Sequence, residues 1–135
     1  MTGDPRKRIL VVDDNPGNLR LFTLLLASPR YDVRTAPSAQ RALDMLASFH
    51  PDLILLDLQL PDIDGLELTR RLKANPVLSG IPVVAVTAYA MKGDEERARA
   101  AGADGYVSKP VEKKAFRQMV ADFLDGGGTH EGQDR

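Results

Sequence analysis

The chain has no cysteine, which removes disulfides, thiol catalysis and thiolate metal sites together. Histidine is nearly as scarce. His50 precedes Pro51 in a loop and His130 lies near the end, and neither has a neighbour that points to metal binding or phosphotransfer. Charge of one sign is also lacking: a net charge of −1 gives no general attraction to nucleic acid or to an anionic membrane. No apolar run approaches a membrane span, and the four apolar residues from Ile9 to Val12 are too few for a signal-peptide core. The expected location is the cytoplasm.

What is there is enough for one domain. At 135 residues the chain buries a single sizeable core without metals or cross-links. We place the domain at residues 8–125, after a flexible N-terminus of residues 1–7. The glycine-rich, polar residues 126–135 read as a disordered tail, because no apolar side chain is present to hold them.

Strand candidates recur at a steady interval: Ile9 to Val12, the alternating edge-like run Tyr31 to Thr35, Leu53 to Leu56, Ile81 to Val86, and Gly105 to Ser108. Helices fall between them. Asn15-Pro16 is a cap followed by proline at the first helical position, with Leu19, Phe22, Leu25 and Leu26 at helical spacing. Pro37-Ser38 opens the second helix, with Ala42, Leu43, Leu46 and Phe49 on one face. Leu66 to Leu72 carries the third and Lys92 to Ala101 the fourth, which is almost without large apolar residues. Glu112 to Leu124 makes the fifth. Strands alternating with helices imply right-handed crossovers. The expected fold is therefore α/β, a flavodoxin-like doubly wound (βα)5 arrangement with a five-stranded parallel sheet in the order 2-1-3-4-5. In that class, sites form beyond the carboxyl ends of the strands.

The residues that follow each strand carry the chemistry. Strand one ends in Asp13-Asp14, strand three in Asp57, strand four in Thr87 and strand five in Lys109-Pro110. A parallel sheet brings all of these to one edge. Three carboxylates there conflict electrostatically unless a cation intervenes. Oxygen ligands without histidine or cysteine select a hard cation such as Mg2+. Asp57 would then serve as a carboxylate nucleophile toward a phosphoryl group, with Lys109 and Thr87 sharing the charge on its oxygens. Each residue alone has a plainer reading: Asp13 and Asp14 as helix-end acids, Thr87 as a strand residue, Lys109 as a surface charge, Pro110 as a helix start. The joint pattern on four strands is what excludes those readings together.

These segments resemble a known family. Ile9-Leu10-Val11-Val12-Asp13-Asp14-Asn15, Pro51 to Asp57, Leu60-Pro61-Asp62-Ile63-Asp64-Gly65, Ile81 to Ala88 and Ala101 to Pro110 are similar to the receiver domain of two-component response regulators. The likeness covers residues 8–124. The run Thr87 to Arg97 further resembles single-domain regulators of the DivK type. The resemblance implies that Asp57 receives the phosphoryl group from a sensor histidine kinase or a histidine phosphotransferase. Mg2+ would be held by Asp14 and Asp57, by Asp13 mostly through water, and by the Gln59 backbone carbonyl. Thr87 would bond the phosphoryl oxygen and Lys109 would pair with it. The Lys109-Pro110 bond would be cis. Tyr106 would be the switch aromatic, whose plainer reading is a half-buried strand tyrosine.

Readout would pass to a protein target through the face of the fourth helix, fifth strand and fifth helix, with the protein a monomer or weak dimer. Such a protein is a switch that slowly dephosphorylates itself, not a turnover enzyme. Gln59 and Tyr89 occupy positions that bear on phosphoryl lifetime. Met1 and the tail favour a stand-alone regulator over a module of a larger protein.

Two rivals share parts of the pattern. A phosphatase of the haloacid-dehalogenase type also uses an aspartyl nucleophile and Mg2+, but it needs a second acid where this chain has Gln59. A flavodoxin-like cofactor binder needs a Gly/Ser/Thr-rich loop after strand one, where this chain has Asp13-Asp14-Asn15-Pro16.

Overall fold

The computed structural model describes residues 6–87, 92–109 and 111–126. Five strands alternate with five helices: β1 (Lys7–Val12), α1 (Pro16–Leu25), β2 (Tyr31–Ala36), α2 (Ala39–Met45), β3 (Leu53–Asp57), α3 (Gly65–Ala74), β4 (Val83–Thr87), α4 (Asp94–Ala101), β5 (Gly105–Ser108) and α5 (Lys113–Gly126). The strands pair in parallel in the order β2-β1-β3-β4-β5, as the sequence pattern implied. β1 takes in Lys7, and α5 runs to Gly126, each one residue past the expected domain limits.

Alternation along the strands divides the interior in two. Ile9, Val11, Leu53, Leu55, Val84 and Val86 pack with Phe22 and Leu26, and with Phe116, Val120 and Phe123 of α5. Leu10, Val12, Ile54, Leu56 and Val83 turn the other way, onto Ala39 and Ala42 of α2 and Leu68 and Leu72 of α3. The four residues Leu53 to Leu56 are each at most 1% exposed. Burying a leucine or isoleucine side chain contributes about 1.5–3 kcal/mol relative to exposure, so β3, like the equally buried Ile9 to Val12 of β1, is firmly held. A third, smaller cluster lies under α4 and consists of Ala85, Ala98 and Ala103, with Leu58, Leu66 and Tyr106 against it.

Several helix and strand ends differ from the sequence pattern, and three of the differences have a local setting. α4 begins at Asp94 and not at Lys92, because Gly93 adopts φ 88°, a left-handed conformation that belongs to a cap. β4 begins at Val83, after Pro82, whose carbonyl accepts from Ile54 N. α2 stops at Met45, yet Phe49 still reaches the core through a turn in which its amide bonds Met45 O at 2.8 Å. The Arg34 guanidinium covers that ring at 4.5 Å.

At the amino end of the sheet, Lys73 of α3 closes a corner. Its ammonium donates to Ser79 O at 3.2 Å and Ile81 O at 2.9 Å and pairs with Asp104 at 2.7 Å. At the opposite end, Gly65 starts α3 hard against the backbone that leaves β3. A Cβ there would stand 2.5 Å from Leu58 Cα and 2.7 Å from Asp57 O. Gly65→Ala should therefore force the loop apart and lower stability by about 1–3 kcal/mol. Urea unfolding of the variant beside the parent measures this loss.

Candidate functional site

The carboxyl edge gathers the predicted residues. β1 and β3 are neighbours, with Val12 beside Leu56, so the residues just past them, Asp13 and Asp57, stand side by side. Carboxylate oxygens of Asp13, Asp14 and Asp57 all lie within 4.8 Å of one another, an arrangement able to hold a metal ion. Lys109, just past β5, extends its ammonium across the edge to Asp13 Oδ2 at 3.0 Å and Asp57 Oδ2 at 3.6 Å. Its Nζ passes 5.9 Å from the Phe22 ring centroid, on the α1 side of the sheet.

The three acids differ in what they already bond. Asp13 is almost fully buried and accepts three hydrogen bonds. Its Oδ1 accepts Asn15 N at 2.9 Å, and its Oδ2 accepts Asn18 Nδ2 at 3.2 Å and the Lys109 ammonium. Asp14 is exposed. Asp57 is 8% exposed and accepts Gln59 N on Oδ1 at 3.0 Å. Burial raises its pKa above the ordinary 3.8, the neighbouring charges of Asp13 and Asp14 add to this, and Gln59 N–H and Lys109 oppose it without cancelling it.

Thr87 and Tyr106 belong to the other face. Asp57 pairs with Val86, so Thr87 ends β4 one residue beyond, and it is 1% exposed. Tyr106 pairs with Ala85 on β5, which makes it a diagonal, same-face neighbour of Thr87. The Tyr106 phenol has its pKa raised by burial and then by the carboxylates of Asp94 and Glu95 in the first turn of α4. A groove of about 530 Å³ runs over β5 between α4 and α5, lined by Tyr106, Glu95, Arg99, Phe116, Met119 and others. Pro110, with its expected cis bond, and Tyr89 lie outside the described residues.

Two participants escaped the sequence reading. Asn18 bonds Asp13 from the first turn of α1, where its own amide is held by the Asn15 side chain at 3.1 Å. The signal was present, since a residue three past the cap returns to the helix end beside the acids. Asp62 bonds the amides of Ala39 and Gln40 across 23 and 22 residues, a contact that no local pattern announces.

Comparison with known proteins agrees with this geometry. The model of the response regulator receiver domain matches residues 9–121, and the chain belongs to that family. The polar-differentiation response regulators DivK of Brucella ovis and Brucella abortus are each 45% identical over 118 residues, covering 87% of this chain and 96% of theirs. Among solved structures, a CheY-like receiver domain protein from Methanospirillum hungatei aligns with a TM-score of 0.83 at 30% identity, over 93% of this chain and 98% of that one. The receiver domain of a sensor histidine kinase from Pseudomonas aeruginosa aligns at 0.80 and 30% identity, over 88% and 98%, and carries a magnesium ion in its active-site cleft.

The raised pKa of Asp57 fixes the sign of a pH effect. The folded protein holds that proton more tightly than the unfolded chain does. Asp57 therefore contributes stability below its ordinary pKa, and this is lost as pH rises through the higher folded value. At neutral pH without metal, the carboxylate opposes folding. Asp57→Asn should melt at a higher temperature than the parent in EDTA at pH 7, and the difference should shrink toward pH 4. Thermal unfolding across that range checks both.

Proposed function

We propose that this receiver domain is operated by a phosphoryl group written on Asp57. A carboxylate oxygen of Asp57 attacks phosphorus while the N–P bond of a donor phosphohistidine breaks. The donor imidazole leaves and takes up a proton. The observation that carries this reading is the meeting of three carboxylates within 4.8 Å with the Lys109 ammonium reaching over two of them. The acids suit a hard divalent cation. Asp14 and Asp57 would hold Mg2+ directly with the Gln59 carbonyl, and Asp13, its oxygens already occupied by Asn15, Asn18 and Lys109, would act through water. When bound, Mg2+ neutralises charge on the transferring phosphoryl oxygens.

Lys109 balances the phosphoryl charge on the opposite side, and the Thr87 hydroxyl accepts a place beside it at the end of β4. Movement of Thr87 vacates space next to Tyr106, which turns inward and reshapes the surface of α4, β5 and α5. The small, alanine-based cluster under α4 supports this, since it offers less apolar contact to oppose displacement than the two larger clusters do. The donor is a histidine kinase or phosphotransferase and the target a protein that reads this face.

Incubation with Mg2+ and acetyl phosphate, followed by mass spectrometry, should add one phosphoryl group to the parent and none to Asp57→Asn. Equal labelling of Asp57→Asn would falsify the assignment. Independently of labelling, Mg2+ at about a hundred times its dissociation constant should add about 2.7 kcal/mol to the unfolding free energy. The gain appears as a higher urea midpoint, reversed by EDTA and reduced in Asp14→Ala.

A further inference from the structure

Asp62 sits on the surface of the loop between β3 and α3, three residues past Gln59. Its carboxylate reaches a different element: one oxygen accepts Ala39 N at 3.1 Å and the other accepts Gln40 N at 2.9 Å. Ala39 and Gln40 are the first two residues of α2, and the leading amides of a helix have no partner within it. The helix's own flank serves only the next of them, through Ser38 Oγ and Arg41 N at 3.1 Å. The helix end also favours a negative charge. In keeping with both bonds, with Gln40 N–H the larger influence, the Asp62 carboxyl lies below its ordinary pKa.

The β3–α3 loop is thereby tied at three points. Gln59 N bonds Asp57 Oδ1 at 3.0 Å, Gly65 N bonds Leu58 O at 3.0 Å, and Asp62 holds the tip. The start of α2 is itself referenced to the acidic edge, because Asp13 N donates to Ala36 O at 3.1 Å, three residues before Ala39. A circuit of links results: Asp13 N to Ala36 O, along the chain to Ala39, across through the Asp62 carboxylate, back along the loop to Gln59 and Asp57, and through the β1–β3 pairing to Asp13. Leu60 and Ile63 also pack against the apolar cluster that holds Val12, Ala36 and Ala39, so the Asp62 carboxylate adds a directional polar tie to an apolar one.

We infer that Asp62 is a positioning residue for the metal site, holding the β3–α3 loop to α2 so that the Gln59 carbonyl stays in register with Asp13 and Asp57. This rests on the assignment of Asp13, Asp14, Asp57 and the Gln59 carbonyl as the Mg2+ site. Removing the carboxylate leaves the loop packed but free to vary at its tip, so the carbonyl is no longer pre-placed and Mg2+ binds more weakly.

The test uses the full chain as parent, Asp62→Ala, Asp62→Asn, Ser38→Ala and Asp14→Ala. Mg2+ dissociation constants are measured by calorimetry and stability by urea in EDTA. Asp62→Ala should weaken Mg2+ binding on the order of tenfold, and Asp62→Asn should weaken it less, since one acceptor oxygen remains. Ser38→Ala removes a local cap from the same helix without touching the loop, so it should lower stability and leave Mg2+ affinity unchanged. Labelling of Asp62→Ala by acetyl phosphate should return to the parent rate at saturating Mg2+. An unchanged dissociation constant in Asp62→Ala overturns the inference, and so does equal weakening in Ser38→Ala. If Asp14→Ala binds Mg2+ as the parent does, the metal-site assignment itself is wrong, and the role of Asp62 falls with it.

Discussion

The carboxylates of Asp13, Asp14 and Asp57 repel one another at less than 5 Å, and the surrounding structure is arranged to contain that repulsion. Asp13 is quieted by the Asn15 and Asn18 donors of α1 and by Lys109. Asp14 is left in solvent, where charge is cheap to keep. Asp57 retains the greatest tension, being buried beside two like charges with one backbone donor and a distant ammonium. A nearby cation would relieve the crowding of an acid held in this way. The parallel sheet is what makes such crowding sustainable, since the strand cores behind the acids are among the most deeply buried parts of the molecule.

The two faces of the sheet divide the work. Asp13, Asp57 and Lys109 continue the alternation that packs against α1 and α5, while Thr87 and Tyr106 continue the one that meets α4. The α1 and α5 side is filled by phenylalanines, including the Phe22–Phe116 pair with centroids 5.4 Å apart. The smaller cluster under α4 is built on alanines, with Leu58, Leu66 and Tyr106 against it.

Much of this was legible in the sequence, for identifiable reasons. Apolar runs at β1, β3 and β4, the alternating run at β2 and the short β5, separated by helical spacing, marked a parallel sheet, and its order came from the flavodoxin-like class that this alternation implies. Asp57 was legible as an acid at the end of such a run, and Lys109 as its counter-charge by topology. The boundaries were less so. Gly93 was read as helical, but it stands at the cap of α4 with a left-handed backbone that helical spacing does not reveal. Asp62 was read only as part of the segment Leu60 to Gly65, since its partners on α2 are brought to it by tertiary structure.

Two lysines, one at each end of the sheet, differ in valency. An ammonium has three N–H groups to place. Lys73 directs its ammonium to two carbonyls and a carboxylate at the amino end, which fills its capacity and makes it a fastening. Lys109 has, among the described residues, only Asp13 within hydrogen-bond distance, with Asp57 just outside at 3.6 Å. The same side chain therefore fastens backbone at one end of the sheet, while at the other its ammonium is directed at the acids of the carboxyl edge.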